Sequence, residues 1–244
     1  MLQIQNGHPQ GPVDGHARLR PLSDFSGSLA NRSYLALRAA ILDLGYRPGE
    51  ALRKVEICAQ LGVSRSPVAE AISRLAAEGL VDVVPQAGTY VARFSMDEIR
   101  EGAFLREAIE LAAVEVIAPI LTEKQLVQLR RNLRVQDILV ADGDFRGFYA
   151  LDGEMHELIL SFTGFKKLAY VADTAWLHVN RARQLILPMP GRVAETLEEH
   201  KAILAALETR DPDAARQAMR AHLGRLITFL EPLERDHPEF FAPR

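Results

Sequence analysis

Four side chains far apart along this sequence, Asp152, His156, His200 and His222, are of the types that hold a cation. Asp152 and His156 are four residues apart, which puts them on one face of a helix. Ile159 and Leu160 share that face and turn it inward. His200 lies between Leu197 and the Ile203/Leu204 pair, and His222 between Ala218/Met219 and Leu226. Each polar group therefore sits on an apolar stripe. A single histidine so placed is ordinarily a core residue with a hydrogen-bond partner, but an unpaired carboxylate costs several kcal/mol to bury. One divalent cation would satisfy the carboxylate and three neutral imidazoles together.

Three nitrogens and one oxygen suit Zn, Ni, Fe or Mn as divalent ions without choosing among them. Four protein ligands close a tetrahedral site, whereas an octahedral ion keeps two positions that a carboxylate effector could take. Arg106, Arg181 and Arg183 are candidate effector-binding residues, because a guanidinium pairs bidentately with a carboxylate. Of the other histidines, His178 stands beside Trp176 as a packed or pocket residue. His8, His16 and His237 fall in terminal segments where solvation is the default. Cys58, next to Ile57 and near Leu61, reads as a small buried apolar residue. As the only cysteine it excludes a disulfide framework and a cysteine zinc module.

The elements that must position these residues are helical. From 96 to 231 the apolar period is almost wholly that of helices. Breaks at Pro119, Asp142-Gly143, Thr163-Gly164, Pro188 to Gly191 and Asp211-Pro212 predict about six of them. Thr122 with Gln125, and Asp211 before Pro212, are helix-start signals.

The first part of the chain is different. A helical pattern over 29–44 stops at Gly45 and Arg47-Pro48-Gly49. A short helix over 54–61 and a second over 66–78 are separated by Gly62, a C-cap residue, and Ser64, an N-cap residue, with Pro67 early in the second helix. Two β-like runs, 80–84 and 89–92, joined by Pro85-Gln86-Ala87-Gly88, predict a hairpin. Helix, glycine turn, helix and hairpin make a winged helix-turn-helix, whose second helix enters the DNA major groove. Arg65 in its first turn can donate two hydrogen bonds to guanine or pair with phosphate, and Ser64 and Ser66 favour phosphate contact. Gly88 at the hairpin tip lets backbone approach the minor groove, and Arg53 and Lys54 precede the motif within reach of phosphate.

The chain has 244 residues, 48% apolar and 25% charged, with net charge −3, ordinary values for a globular protein of one or two domains. Residues 1–95 carry a net +2 and the rest −5, the sign expected if the first part touches DNA. No apolar run reaches the length of a membrane span, and glycines and prolines interrupt any signal-peptide core, so a cytoplasmic location and no membrane partner are expected. The expected organisation is a flexible arm over 1–25, a winged helix-turn-helix domain over 26–95, an all-helical effector and metal domain over 96–235, and a tail over 236–244. The fold class is mainly α.

The run from Pro48-Gly49-Glu50 through Leu61-Gly62-Val63-Ser64-Arg65-Ser66-Pro67-Val68, Arg74-Leu75 and Glu78-Gly79-Leu80-Val81 to Gly88-Thr89-Tyr90-Val91 resembles the GntR family of bacterial transcription regulators. Ala69 stands where that family usually has arginine, and Lys54 where it often has an acidic residue. Asp152-x3-His156, Glu199-His200 and His222, with Arg106 and Glu110 earlier, resemble the ligand-binding domain of its FadR subfamily. Thr163-Gly164-Phe165 departs from the Gly-Asn frequent there. The resemblance implies a six- or seven-helix bundle in which Asp152, His156, His200 and His222 hold a divalent metal ion. It also implies a dimer on a palindromic double-stranded DNA operator, answering to a small organic-acid effector.

Two other readings stay open at this level. A metal-dependent hydrolase would use a metal-activated water with Glu199 or Glu157 as base, although no phosphate loop or His-Glu-x-x-His signature is present. A purely structural metal would only hold the bundle together.

Overall fold

The computed structural model describes residues 19–243. His8 and His16 lie outside the described residues, as does most of the expected arm. Within that arm's expected span, Leu19 is buried, Leu22–Asp24 form a 3-10 turn, and Arg20 pairs with Asp24 at 3.0 Å.

Contacts divide the described residues into two compact units, 19–95 with 234–243, and 96–233. In the first, α1 (Leu29–Leu42) begins at Ser28, whose side chain accepts from the Asn31 backbone N–H. It packs on α3 (Arg65–Ala77); Leu37 and Ile41 of α1 and Val68, Ala71 and Leu75 of α3 are buried. The Arg74 guanidinium lies 3.6 Å over the Tyr34 ring, and Tyr34 donates to Glu78 at 2.5 Å. Burial and this bond to a carboxylate push the Tyr34 hydroxyl up to about 12. Arg74 is thereby spent on packing.

Between them α2 (Lys54–Leu61) ends at Gly62, whose φ of 65° is the left-handed cap that turns the chain into Ser64 and α3. The hairpin is β1 (Val81–Val84) antiparallel to β2 (Gly88–Val91), with Val81 opposite Val91 and Val84 opposite Gly88. Gly49–Leu52, expected only as a helix stop, adds to it: Gly49 and Leu52 N–H donate to Val91 and Thr89 carbonyls at 2.8 Å each.

The span 236–244, expected as a tail, also belongs to this unit. Phe94 donates to the Phe240 carbonyl and Ala242 to that of Phe94, and buried Phe241 lies 5.8 Å from the Phe94 ring. His237 is partly exposed beside Glu239 at 3.2 Å.

The second unit is all helical: α4 (Met96–Ile117), α5 (Glu123–Asp142), α6 (Phe145–Phe162), α7 (Leu168–Ala175), α8 (Leu177–Ile186), α9 (Arg192–Glu208), α10 (Pro212–Leu223) and α11 (Arg225–Asp236). Thr122 and Gln125 form the capping box that starts α5, and Asp211 caps α10 ahead of Pro212. The two helices beyond the expected six arise at Trp176 and Gly224. Trp176 N–H still bonds to Ala172 and Gly224 N–H to Arg220, so both are bends in nearly continuous helix that no proline or turn cluster announces. α4 packs against α6, α8 and α10, and α5 against α6 and α9. This brings one face each of α6, α9 and α10 to a common centre.

Candidate functional site

Asp152 and His156 come from α6, His200 from α9 and His222 from α10, and all four are buried. One potential ligand atom from each lies within 4.8 Å of the others. His156 Nε2 is 3.4 Å and His200 Nε2 3.2 Å from Asp152 Oδ1, and the Nε2 atoms of His222 and His156 are 3.2 Å apart.

The opposite nitrogen of each ring is occupied. His156 Nδ1 meets Glu110 Oε2 at 2.5 Å, His200 Nδ1 meets Gln136 Oε1 at 2.8 Å, and His222 Nδ1 meets Glu199 Oε2 at 2.8 Å. An ionised carboxylate only accepts, so Glu110 and Glu199 require Nδ1–H. Gln136 Nε2 already donates to Asn132 Oδ1 at 2.6 Å, so its oxygen accepts from His200 as well. All three Nε2 atoms are then bare. The lone pairs of His156 and His222 face each other, and Asp152 Oδ1 and His200 Nε2 are buried without a hydrogen-bond partner. Such a set repels itself without a positive charge at its centre. It fits a divalent cation, with the Nδ1 bonds orienting the rings.

The electrostatics agree. Burial holds the His200 and His222 imidazoles well below their ordinary value, and lowers His156 against the pull of Glu110, so the rings stay neutral. Burial alone would raise the two orienting carboxyls. For Glu110, His156 and Arg106 outweigh it and keep the group ionised. For Glu199, hydrogen bonds from His222 and Arg192 bring it down to about 2. Arg183 faces the remaining oxygen of Asp152. Its own value drops to about 10 through burial and the nearby Arg106 charge, which leaves it cationic at neutral pH.

Beside His222 is a small, partly open cleft walled by Arg106, Arg183, Arg192 and Thr196 with Val179 and Leu226. Arg106 and Arg183 are thus brought to it. Arg181 is fully buried but is not among the lining residues. Arg192, passed over in the sequence, sits in the wall and donates to Glu199 at 2.8 and 3.0 Å. Its seven-residue spacing to Glu199 was the available signal, as was the i,i+4 pair Asn132/Gln136 on the apolar stripe of α5. Glu199 is engaged by His222 and Arg192, Glu157 is exposed, and His178 is partly exposed, 3.7 Å from Glu98.

In the first unit, Arg65 and Ser66 open α3 and are exposed, behind the exposed Ser64, whose side chain makes no cap hydrogen bond. Ala69 is exposed one turn after Arg65. Lys54 is exposed, and Arg53 is exposed but shared with Glu56 at 3.2 Å. Cys58 is half-buried, its thiol 3.6 Å from the Ser64 carbonyl. At the hairpin tip, Gly88 has φ 143° and an added Cβ would meet the Tyr90 hydroxyl at 3.2 Å and its ring at 3.3 Å; that hydroxyl donates to the Ala87 carbonyl.

Comparison with known proteins matches residues 29–91 to bacterial regulatory proteins of the gntR family and residues 101–225 to the FCD domain. An HTH-type transcriptional regulator in an unstable DNA locus of Streptomyces ambofaciens is 35% identical, over 86% of this chain and 88% of the relative. The HTH-type transcriptional repressor RspR of Escherichia coli K12 is 32% identical, over 86% and 92%. Among solved structures, a GntR regulator from Rhodococcus sp. RHA1 superposes with TM-score 0.73 at 25% identity, over 84% of this chain and 99% of that one. Escherichia coli McbR/YncC gives 0.72 at 22%, over 85% and 99%.

Proposed function

This chain belongs to the GntR family of bacterial transcription regulators, with an FCD domain as its ligand-binding half, and from that premise we propose that it binds a palindromic operator as a homodimer and answers to a small carboxylate held beside a divalent metal ion. The family and its relatives are regulators, not enzymes, which sets the hydrolase reading aside. The observation that carries the metal is the set of three bare Nε2 atoms converging with Asp152, each ring fixed by an acceptor at Nδ1. Asp152, His156, His200 and His222 would hold the ion. When bound it supplies a positive centre for the carboxylate, with Zn, Ni, Fe and Mn all compatible with the donors. Arg106, Arg183 and Arg192 supply guanidinium partners for an acid in the cleft.

On the DNA side, Arg65 reads a base or phosphate from the major groove, Ser64 and Ser66 contact phosphate, Arg53 and Lys54 reach the flanking backbone, and Gly88 brings the wing to the minor groove. Helix-turn-helix geometry needs two heads for two half-sites. The row Phe104, Ala108, Ala112 and Val116 on α4, exposed and four residues apart, supports pairing of two copies. No helix among the described residues is long and apolar enough to cross a membrane, in keeping with work on cytoplasmic DNA.

Elemental analysis of the purified protein and gel shifts on fragments around its own gene, with and without sugar acids and small dicarboxylates, test this reading. The expected result is near-stoichiometric metal and a specific complex whose affinity one acid changes. Absence of specific binding to any such fragment would overturn it.

A further inference from the structure

Two of the three imidazoles are held by the same construction on different helices. On α4, Arg106 Nε donates to Glu110 Oε1 at 2.6 Å, while Glu110 Oε2 accepts from His156 Nδ1 at 2.5 Å. On α9, the Arg192 guanidinium donates to both Glu199 oxygens at 2.8 and 3.0 Å, while Oε2 also accepts from His222 Nδ1 at 2.8 Å. Each carboxylate is divided between a guanidinium and an imidazole. Negative charge drawn toward the arginine no longer polarises the ring, and a less polarised ring is a poorer metal ligand. Both arginines wall the cleft beside His222. Arg192 is buried, and its Nε–H has no hydrogen-bond partner.

We propose that Arg106–Glu110–His156 and Arg192–Glu199–His222 are paired relays through which an anion in the cleft and a cation at the imidazoles strengthen each other's binding. An anion engaging the two guanidiniums releases Glu110 and Glu199 toward the rings, and the imidazoles then hold the cation more tightly. Linkage makes the effect reciprocal. Glu110, Glu199 and the two arginines are positioning residues here. The inference rests on the reading of Asp152, His156, His200 and His222 as metal ligands.

The test uses zinc alone as probe, titrated into the metal-free full chain against a chromophoric chelator. Glu199→Gln is expected to weaken zinc binding by about 10–100-fold, the usual loss when a ligand's orienting partner is removed. Arg192→Gln is expected to do the opposite and strengthen it by at least about fivefold, the low end of coupling between linked sites. In the Glu199→Gln background, Arg192→Gln should change little, because the carboxylate through which it acts is gone. A merely structural arginine would weaken binding when removed, and a bare charge effect would persist in the double variant; either result, in protein with wild-type circular dichroism, overturns the relay. If Arg192→Gln does not fold, Arg106→Gln read against Glu110→Gln gives the same cycle through His156. Wild-type protein supplies an independent check. Its zinc affinity should rise in saturating acetate, corrected for acetate's own zinc binding, and an unchanged or lower affinity overturns the proposal. A wild type that binds no zinc refutes instead the metal reading beneath it.

Discussion

Whether a buried histidine can serve as a metal ligand depends on what its other nitrogen does. At His200, Gln136 Oε1 fixes Nδ1–H, and Nε2 is left buried and bare toward Asp152. His200→Ala should therefore lower bound metal far below one equivalent by elemental analysis, and full occupancy would remove His200 from the site. The same change strands Gln136 Oε1, a buried acceptor, at a cost of about 1–3 kcal/mol in denaturant unfolding. In the DNA-binding unit the comparable residue is Arg65, exposed at the first turn of α3. Arg65→Ala should weaken operator binding by about 1–3 kcal/mol if the contact is bidentate to guanine. An unchanged gel-shift affinity would exclude it from the interface.

Elements matter here by how they end and where they bend. The turn between α2 and α3 depends on Gly62 at φ 65°, with no atom within 4 Å of an added Cβ. Gly62→Ala thus meets backbone strain without a clash, and should cost the first unit about 1–2 kcal/mol in thermal or denaturant unfolding. An unaltered midpoint would mean that the turn accommodates a side chain elsewhere. These caps were legible because glycine, serine and proline act locally. The bends at Trp176 and Gly224 were not, because a helix that keeps its hydrogen bonds through a bend carries no local stop signal. The pairing of Gly49–Leu52 on β2 was likewise silent, since a strand this short is specified by its partner.

Across the whole helical unit, the buried rings and carboxylates make stability acid-sensitive. The folded-state values of His156, His200 and His222 lie below the ordinary 6.5, so below that pH the unfolded chain takes up protons that the folded one refuses. The sign is therefore loss of stability as pH falls from about 6.5. Glu110 and Glu199, lowered from 4.5, add a loss of the same sign below that value. Metal-free protein should melt at progressively lower temperature from neutral to mildly acid pH, and a flat profile would contradict the buried neutral rings. Chelation at neutral pH should lower the melting temperature of metal-loaded protein, because the ion binds the folded state preferentially. If chelation abolishes the fold, the metal is structural; if it abolishes only the response to effector, the metal is sensory. Phe104→Glu, on the exposed α4 row, should shift the proteins toward monomer in light scattering if that row joins the copies.

From sequence alone came the winged head and the helical character of the second half, because turn chemistry and apolar period are short-range properties of the chain. The four candidate ligands were readable for a related reason: polar residues on apolar stripes stand out within a single helix. Tertiary structure alone decided what surrounds them. Glu110, Gln136 and Glu199 meet the rings from 46, 64 and 23 residues away, and Arg192 enters the cleft wall while Arg181 stays out of it. Those relations arise where separate helices cross, and a helix's own periodicity records which face is buried but not which neighbour it is buried against.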